Sequence, residues 1–251
     1  LKQWLGKDHT YHSTSDTEVL LHCYEQKGLS CLDRLNGMFA FAAWDQRTQR
    51  LVLVRDHIGV KPLYWWEHNG TLLFSSELKG LLASDLIKRE VEPEAVHHLL
   101  SVQAVPPPLT MIRSVRALEP GSYLVWERGH IIIHRYFRVE FGEDDSLGDK
   151  VEPYIEKTKV ILSQAIAQQR QSDVPVAVAL SGGLDSSLIL GMLTPYFNDK
   201  LLTFTLRDEL LLDDEKDDGY YAKIASDAFA SHHTELYLKP YELLQRFTQA
   251  V

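Results

Sequence analysis

The run Val176-Ala-Val-Ala-Leu180, then Ser181-Gly-Gly-Leu-Asp-Ser-Ser187, then Leu188-Ile-Leu-Gly-Met192 constrains this chain more than any other stretch. An apolar, β-branched run of this length reads as a buried strand of the kind found in parallel sheets. Ser181-Gly182-Gly183 breaks it, and Asp185 or Ser186 is placed to cap the helix that follows. A strand, a glycine turn and a helix start make an anion site. Free backbone N–H groups and the positive end of the helix point at one spot, and glycines let a phosphate come close. Hydroxyls at Ser181, Ser186 and Ser187 add donors, and the Asp185 carboxylate suits a magnesium ion.

Neither G-x-x-x-x-G-K-[ST] nor G-x-G-x-x-G occurs in the chain, which excludes the two commonest phosphate loops. Ser181-Gly-Gly-Leu-Asp-Ser186 resembles instead the S-G-G-x-D-S pyrophosphate loop of ATP pyrophosphatases, enzymes that split ATP into AMP and pyrophosphate. The resemblance implies an adenylating site.

A chain of 251 residues makes one large domain or two of ordinary size. Its net charge of −9 and its lack of any basic run argue against a nucleic-acid partner. No apolar stretch is long enough to span a bilayer and no signal sequence opens the chain, so no membrane is expected and the cytoplasm is the expected compartment. The two cysteines, Cys23 and Cys31, have no metal-ligand spacing, and Cys23 reads as a buried thiol on a helix. His232 and His233 adjoin in a strand and face opposite sides, which is poor metal geometry. His97 and His98 on a helix are no better. The chain starts at Leu1 without a methionine and stops at Val251 inside a helical pattern, so both ends read as cut.

Taken in order, Ser15 or Asp16 caps a helix with Glu18 in its first turn, and Gly28 ends it. Met38–Asp45 and Arg50–Val54 form a hairpin, and a second one closes through His68-Asn-Gly70. Helical segments follow near Glu77–Leu82 and Pro93–Leu100. Strands are expected over Ile112–Leu118, Ser122–Trp126 and His130–Tyr136. Gly142-Glu-Asp-Asp-Ser-Leu-Gly148 is the best linker, which gives a first domain over 1–141, a linker at 142–149 and a second domain from 150 to 251. Beyond it, helical spacing through about Gln169 leads into strands alternating with helices: Val176–Leu180, Leu201–Leu206, Tyr220–Ala230 and His233–Leu238. That alternation means a parallel α/β sheet. The fold class is therefore α+β followed by α/β. The acidic stretch Arg207–Gly219 reads as a solvated, mobile loop, with binding of magnesium–pyrophosphate by its acids as the alternative.

Further strings carry a wider resemblance. They are Ser15-Asp-Thr-Glu-Val19, Gly37-Met-Phe-Ala-Phe-Ala-Ala-Trp-Asp45, Arg55-Asp-His-Ile-Gly-Val-Lys-Pro-Leu-Tyr64 and Ser76-Glu-Leu-Lys79. Val105-Pro-Pro-Pro-Leu-Thr110, Glu119-Pro-Gly-Ser-Tyr-Leu124 and Ser172-Asp-Val-Pro175 continue the series up to the glycine turn. The first domain resembles the class II glutamine amidotransferase (N-terminal-nucleophile) domain, an antiparallel β-sandwich with helices. The second resembles the ATP-pyrophosphatase-like synthetase domain of the asparagine synthetases.

The resemblance implies glutamine, aspartate and ATP as small-molecule substrates, with magnesium, and it leaves a homodimer open. It implies that Asp16 binds the α-amino group of glutamine, which agrees with the strength of a charge-assisted pair. It implies that Leu180 lines the ATP site, that Leu206 flanks the adenine, and that Ser181, Gly182, Gly183, Asp185 and Ser186 hold the phosphates, Asp185 with the magnesium. On the residues alone Asp16 is a helix cap and the two leucines pack a core. Departures accompany the matches. The family's N-terminal cysteine nucleophile, whose own amine helps to activate it, has no counterpart here. No catalytic residue is therefore assigned for glutamine hydrolysis. Two other readings stay open: a relative that amidates a sugar acid or closes a lactam ring, and a catalytically incomplete ATP-binding fragment. A third, an N-terminal-nucleophile peptidase, is disfavoured by the α/β half and by Leu1.

Overall fold

A computed structural model describes residues 1–6, 9–142, 148, 150–208, 217–239, 241 and 245. The chain divides into two compact units, Leu1–Gly142 and Glu143–Val251. The linker expected at 142–149 lies mostly outside the described residues.

In the first unit, α1 (Lys2–Leu5) and α2 (Asp16–Lys27) precede a 3₁₀ segment at Gly28–Arg34. Strands β1 (Ala40–Asp45), β2 (Arg50–Arg55), β3 (Tyr64–His68) and β4 (Thr71–Ser75) follow. Helices α3 (Leu78–Leu82) and α4 (Pro93–Val102) come next, then β5 (Arg116–Ala117), β6 (Ser122–Glu127) and β7 (His130–Arg135). One antiparallel sheet runs β1-β2-β6-β7 and a second β4-β3-β5.

Strand alternation decides what each face of the first sheet meets. Val52, Val54 and Val125 face α2 and the 3₁₀ segment, packing with Val19, Cys23, Cys31 and Leu32. Leu53 and Leu124 point the other way and meet Trp65 and Leu72 of the second sheet and Leu63 and Leu118, which flank its strands. Each of these two fully buried leucines contributes roughly 2 kcal/mol of transfer free energy. Beyond the second sheet, Trp66 packs with Leu81 of α3, Ile87 and Val115. Helix, sheet, sheet and helix are stacked as layers.

The Asn69-Gly70 turn has both residues at positive φ, 50° and 74°, which is the two-residue hairpin turn expected of that dipeptide. The strand expected over Ile112–Leu118 is reduced to Arg116–Ala117 and a single bridge between Val91 and Ile112. Thr110 is the cause. Its buried hydroxyl lies 2.9 Å from the Ile112 carbonyl and 3.0 Å from the Val115 carbonyl, and the Ile112 amide donates back to it at 3.1 Å. A side chain that serves the backbone in this way closes a turn and removes those groups from a ladder.

The second unit holds α5 (Val151–Gln169), β8 (Ala177–Ala179), α6 (Leu184–Leu193), β9 (Leu202–Asp208), α7 (Asp218–Ala228) and β10 (His232–Leu238). Its strands are all parallel in the order β10-β9-β8. Val178, Leu180, Leu190, Leu193, Leu201 and Ala222 form its core, with Ile166 of α5 against it. The strand read as buried, β8, is buried on one side only among the described residues. Among the described residues Ala177, Ala179, Phe204 and Leu206 are exposed, so only the face under α6 and α7 is buried. No helix among the described residues is long and apolar enough to cross a membrane.

Candidate functional site

The bend after β8 is shaped by its two glycines. Gly182 has φ +77°, a left-handed conformation that L side chains rarely adopt. Gly183 takes the N-cap position of α6 with extended backbone and no side-chain cap bond. Neither Asp185 nor Ser186 is the cap, because the helix already starts at Leu184 and both fall within its first turn. Among the described residues, the cap position offers the first-turn amides of α6 no side-chain acceptor, and the helix itself offers them none.

Four serine contacts shape the approach to these amides. The Ser181 and Ser186 hydroxyls lie 3.1 Å apart, and Ser186 Oγ donates to the Gly183 carbonyl at 3.2 Å. The Ser181 amide reaches Ser186 Oγ at 3.3 Å and the Gly183 amide reaches Ser181 Oγ at 3.4 Å. Those last two are long for N–H···O bonds. A Cβ on Gly183 would touch only the Ser181 hydroxyl, so space is open on that side. Asp185 is exposed, and the described residues contain no group of three His, Cys, Asp or Glu placed as metal ligands. A magnesium ion on Asp185 would take its other ligands from phosphate oxygens and water.

The two leucines part company. Leu180 is 1% exposed with its side chain in the core, so only its backbone meets the bend. Its amide donates to the Phe204 carbonyl at 2.8 Å and its carbonyl accepts the Thr205 hydroxyl. Leu206, at 61% exposure, stands open near the carboxyl end of β9, on the uncovered face. Thr205 was not singled out from sequence. The signal was there in Leu202-Thr-Phe-Thr-Leu206, where polar residues alternate onto the helix-covered face, and Thr203 and Thr205 are both buried.

In the first unit Ser15, and not Asp16, caps α2, accepting from the Thr17 amide at 3.2 Å. Asp16 is exposed in the first turn, with the Thr17 hydroxyl 3.5 Å from its carboxylate. Glu18 holds the segment leading to it. Its carboxylate accepts the His12 amide, the Ser13 amide and the Ser13 hydroxyl at 2.6–2.7 Å. The His12 amide foremost, then the Ser13 hydroxyl, hold this carboxyl down to about 2. A depressed pKa contributes stability that is present above the ordinary glutamate value and is lost as pH falls towards about 2. Glu18→Gln is accordingly expected to flatten the acid side of a plot of unfolding midpoint against pH below about 4.5. An unchanged acid limb would show that these contacts do not form.

Cys23 and Cys31 are both fully buried, and burial, then the neighbouring Cys23 thiol, pushes the Cys31 thiol up to about 11. Neither thiol suits attack on an amide at neutral pH.

Layered antiparallel sheets with a carboxylate at a helix start are followed by a parallel sheet with a glycine bend at a second helix start. Residues 1–137 match the glutamine amidotransferase domain and residues 157–251 match asparagine synthase. The chain belongs to the glutamine-hydrolysing asparagine synthetase family. It is similar to asparagine synthetase 3 of Bacillus subtilis, with 31% identity over 100% of this chain and 42% of that protein. A putative asparagine synthetase 2 of Methanocaldococcus jannaschii is 34% identical over 90% of this chain and 43% of its own length. The amidase chry2 of Gibberella zeae is 34% identical over 77% of the chain and 28% of its own length. The chain thus spans under half the length of these relatives. A solved glutamine phosphoribosylpyrophosphate amidotransferase from B. subtilis aligns with 99% of this chain and 47% of its own at 16% identity, with a TM-score of 0.36, too low to bear on the fold.

Proposed function

We propose that this chain contributes to a cytoplasmic, glutamine-dependent asparagine synthetase. Its second unit binds ATP with magnesium at Ser181–Ser186, and its first unit contributes Asp16 to glutamine recognition. In the overall reaction the aspartate side-chain carboxylate attacks the α-phosphorus of ATP and pyrophosphate leaves. Ammonia from glutamine then displaces AMP to give the amide. This chain's part in the first step is positioning and charge neutralisation. The first-turn amides of α6 and the Ser181 and Ser186 hydroxyls donate to the terminal phosphates, Asp185 supplies a carboxylate for the metal, and Leu206 offers an apolar surface to the adenine. Asp16 pairs with the α-ammonium of glutamine.

The observation that carries the reading is the bend itself. Gly182 at positive φ, an open Gly183 and paired hydroxyls held by long, replaceable bonds form a donor cradle for an anion. Titration calorimetry of the purified chain with magnesium-ATP tests it. Ser181→Ala with Ser186→Ala is expected to weaken binding about tenfold or more, two hydroxyl donors being lost to a charged ligand. Equal heats for the double variant and the parent chain would count against the site. A second reading keeps the same chemistry with another acceptor carboxylate, and the match to a relative named an amidase favours keeping it in view. Product analysis with aspartate against other acids in the full-length protein separates the two.

A further inference from the structure

The acidic stretch Arg207–Gly219 is not loop from end to end. Residues 209–216 lie outside the described ones, but both ends of the stretch are fixed. Arg207 belongs to β9, and its Nε and Nη2 both reach Asp217 Oδ2, at 3.0 and 2.7 Å. Its Nη1 reaches Glu235 Oε2 of β10 at 3.1 Å, and the Tyr237 hydroxyl donates to the same oxygen. The other Asp217 oxygen, Oδ1, accepts the Tyr220 amide at 2.9 Å and so caps α7. One carboxylate both closes the ion pair and starts the helix.

The turn fixed in this way is the wall of the glycine bend. A Cβ on Gly182 would lie 2.5 Å from the Ala222 nitrogen, 2.6 Å from the Asp218 carbonyl oxygen and 2.7 Å from Tyr221 Cβ. The first turns of α7 therefore press directly on the residue whose left-handed backbone makes the bend. On the opposite side of the same turn, a Cβ on Gly219 would run into the Arg207 guanidinium, with Cδ at 2.6 Å. The contacts run without a gap from Glu235 through Arg207, Asp217 and the first turns of α7 to Gly182.

We propose that Arg207 is a positioning residue for the phosphate bend, acting through Asp217 and the first turns of α7. The proposal rests on reading Ser181–Ser186 as the site for the terminal phosphates of ATP. Arg207 itself does not touch the nucleotide, since its guanidinium is occupied by two carboxylates. Its loss frees the start of α7 to move, and the amides of the bend then no longer converge on one point. The consequence falls on phosphate binding and spares the adenosine part.

Binding of magnesium-pyrophosphate and of AMP to the purified chain, measured beside its thermal unfolding by circular dichroism, tests this. Arg207→Met is expected to weaken magnesium-pyrophosphate binding about tenfold, the size typical of an outer supporting contact, and to change AMP binding less than about twofold. Gly219→Ala keeps the arginine but displaces its guanidinium, and it should reproduce the same selective loss. Asp217→Asn keeps the cap acceptor and weakens the ion pair, and its loss should fall between those of the parent chain and Arg207→Met. If Arg207→Met unfolds the second unit, Gly219→Ala and Asp217→Asn decide the matter. Full pyrophosphate affinity in a folded variant overturns the role of Arg207 and leaves the ATP site standing, as does an equal loss of pyrophosphate and AMP. Failure of the parent chain to bind pyrophosphate or ATP overturns both.

Discussion

Replacing Gly182 with alanine is expected to abolish nucleotide binding and to lower the stability of the second unit by roughly 3 kcal/mol. Two costs combine. An L residue at φ +77° pays backbone strain, and its Cβ would sit 2.5 Å from the Ala222 nitrogen and 2.6 Å from the Asp218 carbonyl oxygen. Both close atoms are backbone in the first turns of α7, so no side-chain rotation relieves the clash. Either α7 retreats from the sheet or the bend flattens towards an ordinary conformation. The first outcome unpacks Ala222 from the core it shares with Leu180 and Leu190. The second takes the amides away from the phosphates.

The measurement is made cleaner by where the tryptophans fall. Trp4, Trp44, Trp65, Trp66 and Trp126 all lie in the first unit, so their fluorescence follows that unit while far-ultraviolet circular dichroism follows both. Gly182→Ala should shift the dichroism transition and leave the fluorescence midpoint in place. Gly183→Ala is the control one residue on. Its Cβ would meet only the Ser181 hydroxyl at 3.4 Å and its φ is ordinary, so stability should hardly change. Equal stability loss in the two variants would mean that the bend is not pressed against α7.

Why some of this was legible from sequence and some was not follows from the range of the interactions. The start of α2 at Ser15, its end at Gly28, the Asn69-Gly70 turn and the strand–bend–helix order around Ser181 rest on contacts within a few residues. Local chemistry of that kind is written in neighbouring letters. The failures share the opposite property. Thr110 ties the Ile112 and Val115 carbonyls into a turn, which an apolar run cannot announce. Leu180 and Leu206 read alike as strand-end leucines, yet one is core and the other open, because among the described residues helices cover a single face of the sheet. Arg207 pairs with partners ten and twenty-eight residues away across an acidic stretch whose composition says only solvent.

Asp56 is the sharpest example, and Asp56→Ala is expected to lower the stability of the first unit by roughly 3–4 kcal/mol. In the sequence it is a charged residue of a loop, part of the string Arg55-Asp-His-Ile-Gly-Val-Lys-Pro62. In the fold it is wholly buried, at 0% exposure. Its two carboxylate oxygens each accept a backbone amide, Val60 and Lys61, both at 2.9 Å. Its own amide donates to the Phe39 carbonyl and its carbonyl accepts the Gly59 and Gly121 amides. Beside it the Arg55 guanidinium donates to the carbonyls of Lys61, Gly59 and Leu118, and the Tyr136 hydroxyl donates to the Arg55 carbonyl. The two residues sew the 56–63 loop to the turn between β5 and β6 and to the end of β7.

Alanine leaves the Val60 and Lys61 amides without acceptors, and each orphaned donor costs about 1–3 kcal/mol. Asparagine retains one acceptor but turns an NH₂ group towards an amide that is itself a donor, so a smaller loss is expected. Burial pushes the Asp56 carboxyl up, but the amide donors, led by Lys61 and Val60, outweigh it and hold the carboxyl below its ordinary value. A group depressed in the folded state stabilises above the ordinary aspartate pKa, and that contribution disappears as pH falls through the folded value. Urea midpoints read by tryptophan fluorescence should therefore drop for Asp56→Ala at neutral pH and converge with those of the parent chain in acid. A loss below about 1 kcal/mol at neutral pH would mean that water reaches these amides once the carboxylate is gone, and that the loop does not depend on Asp56.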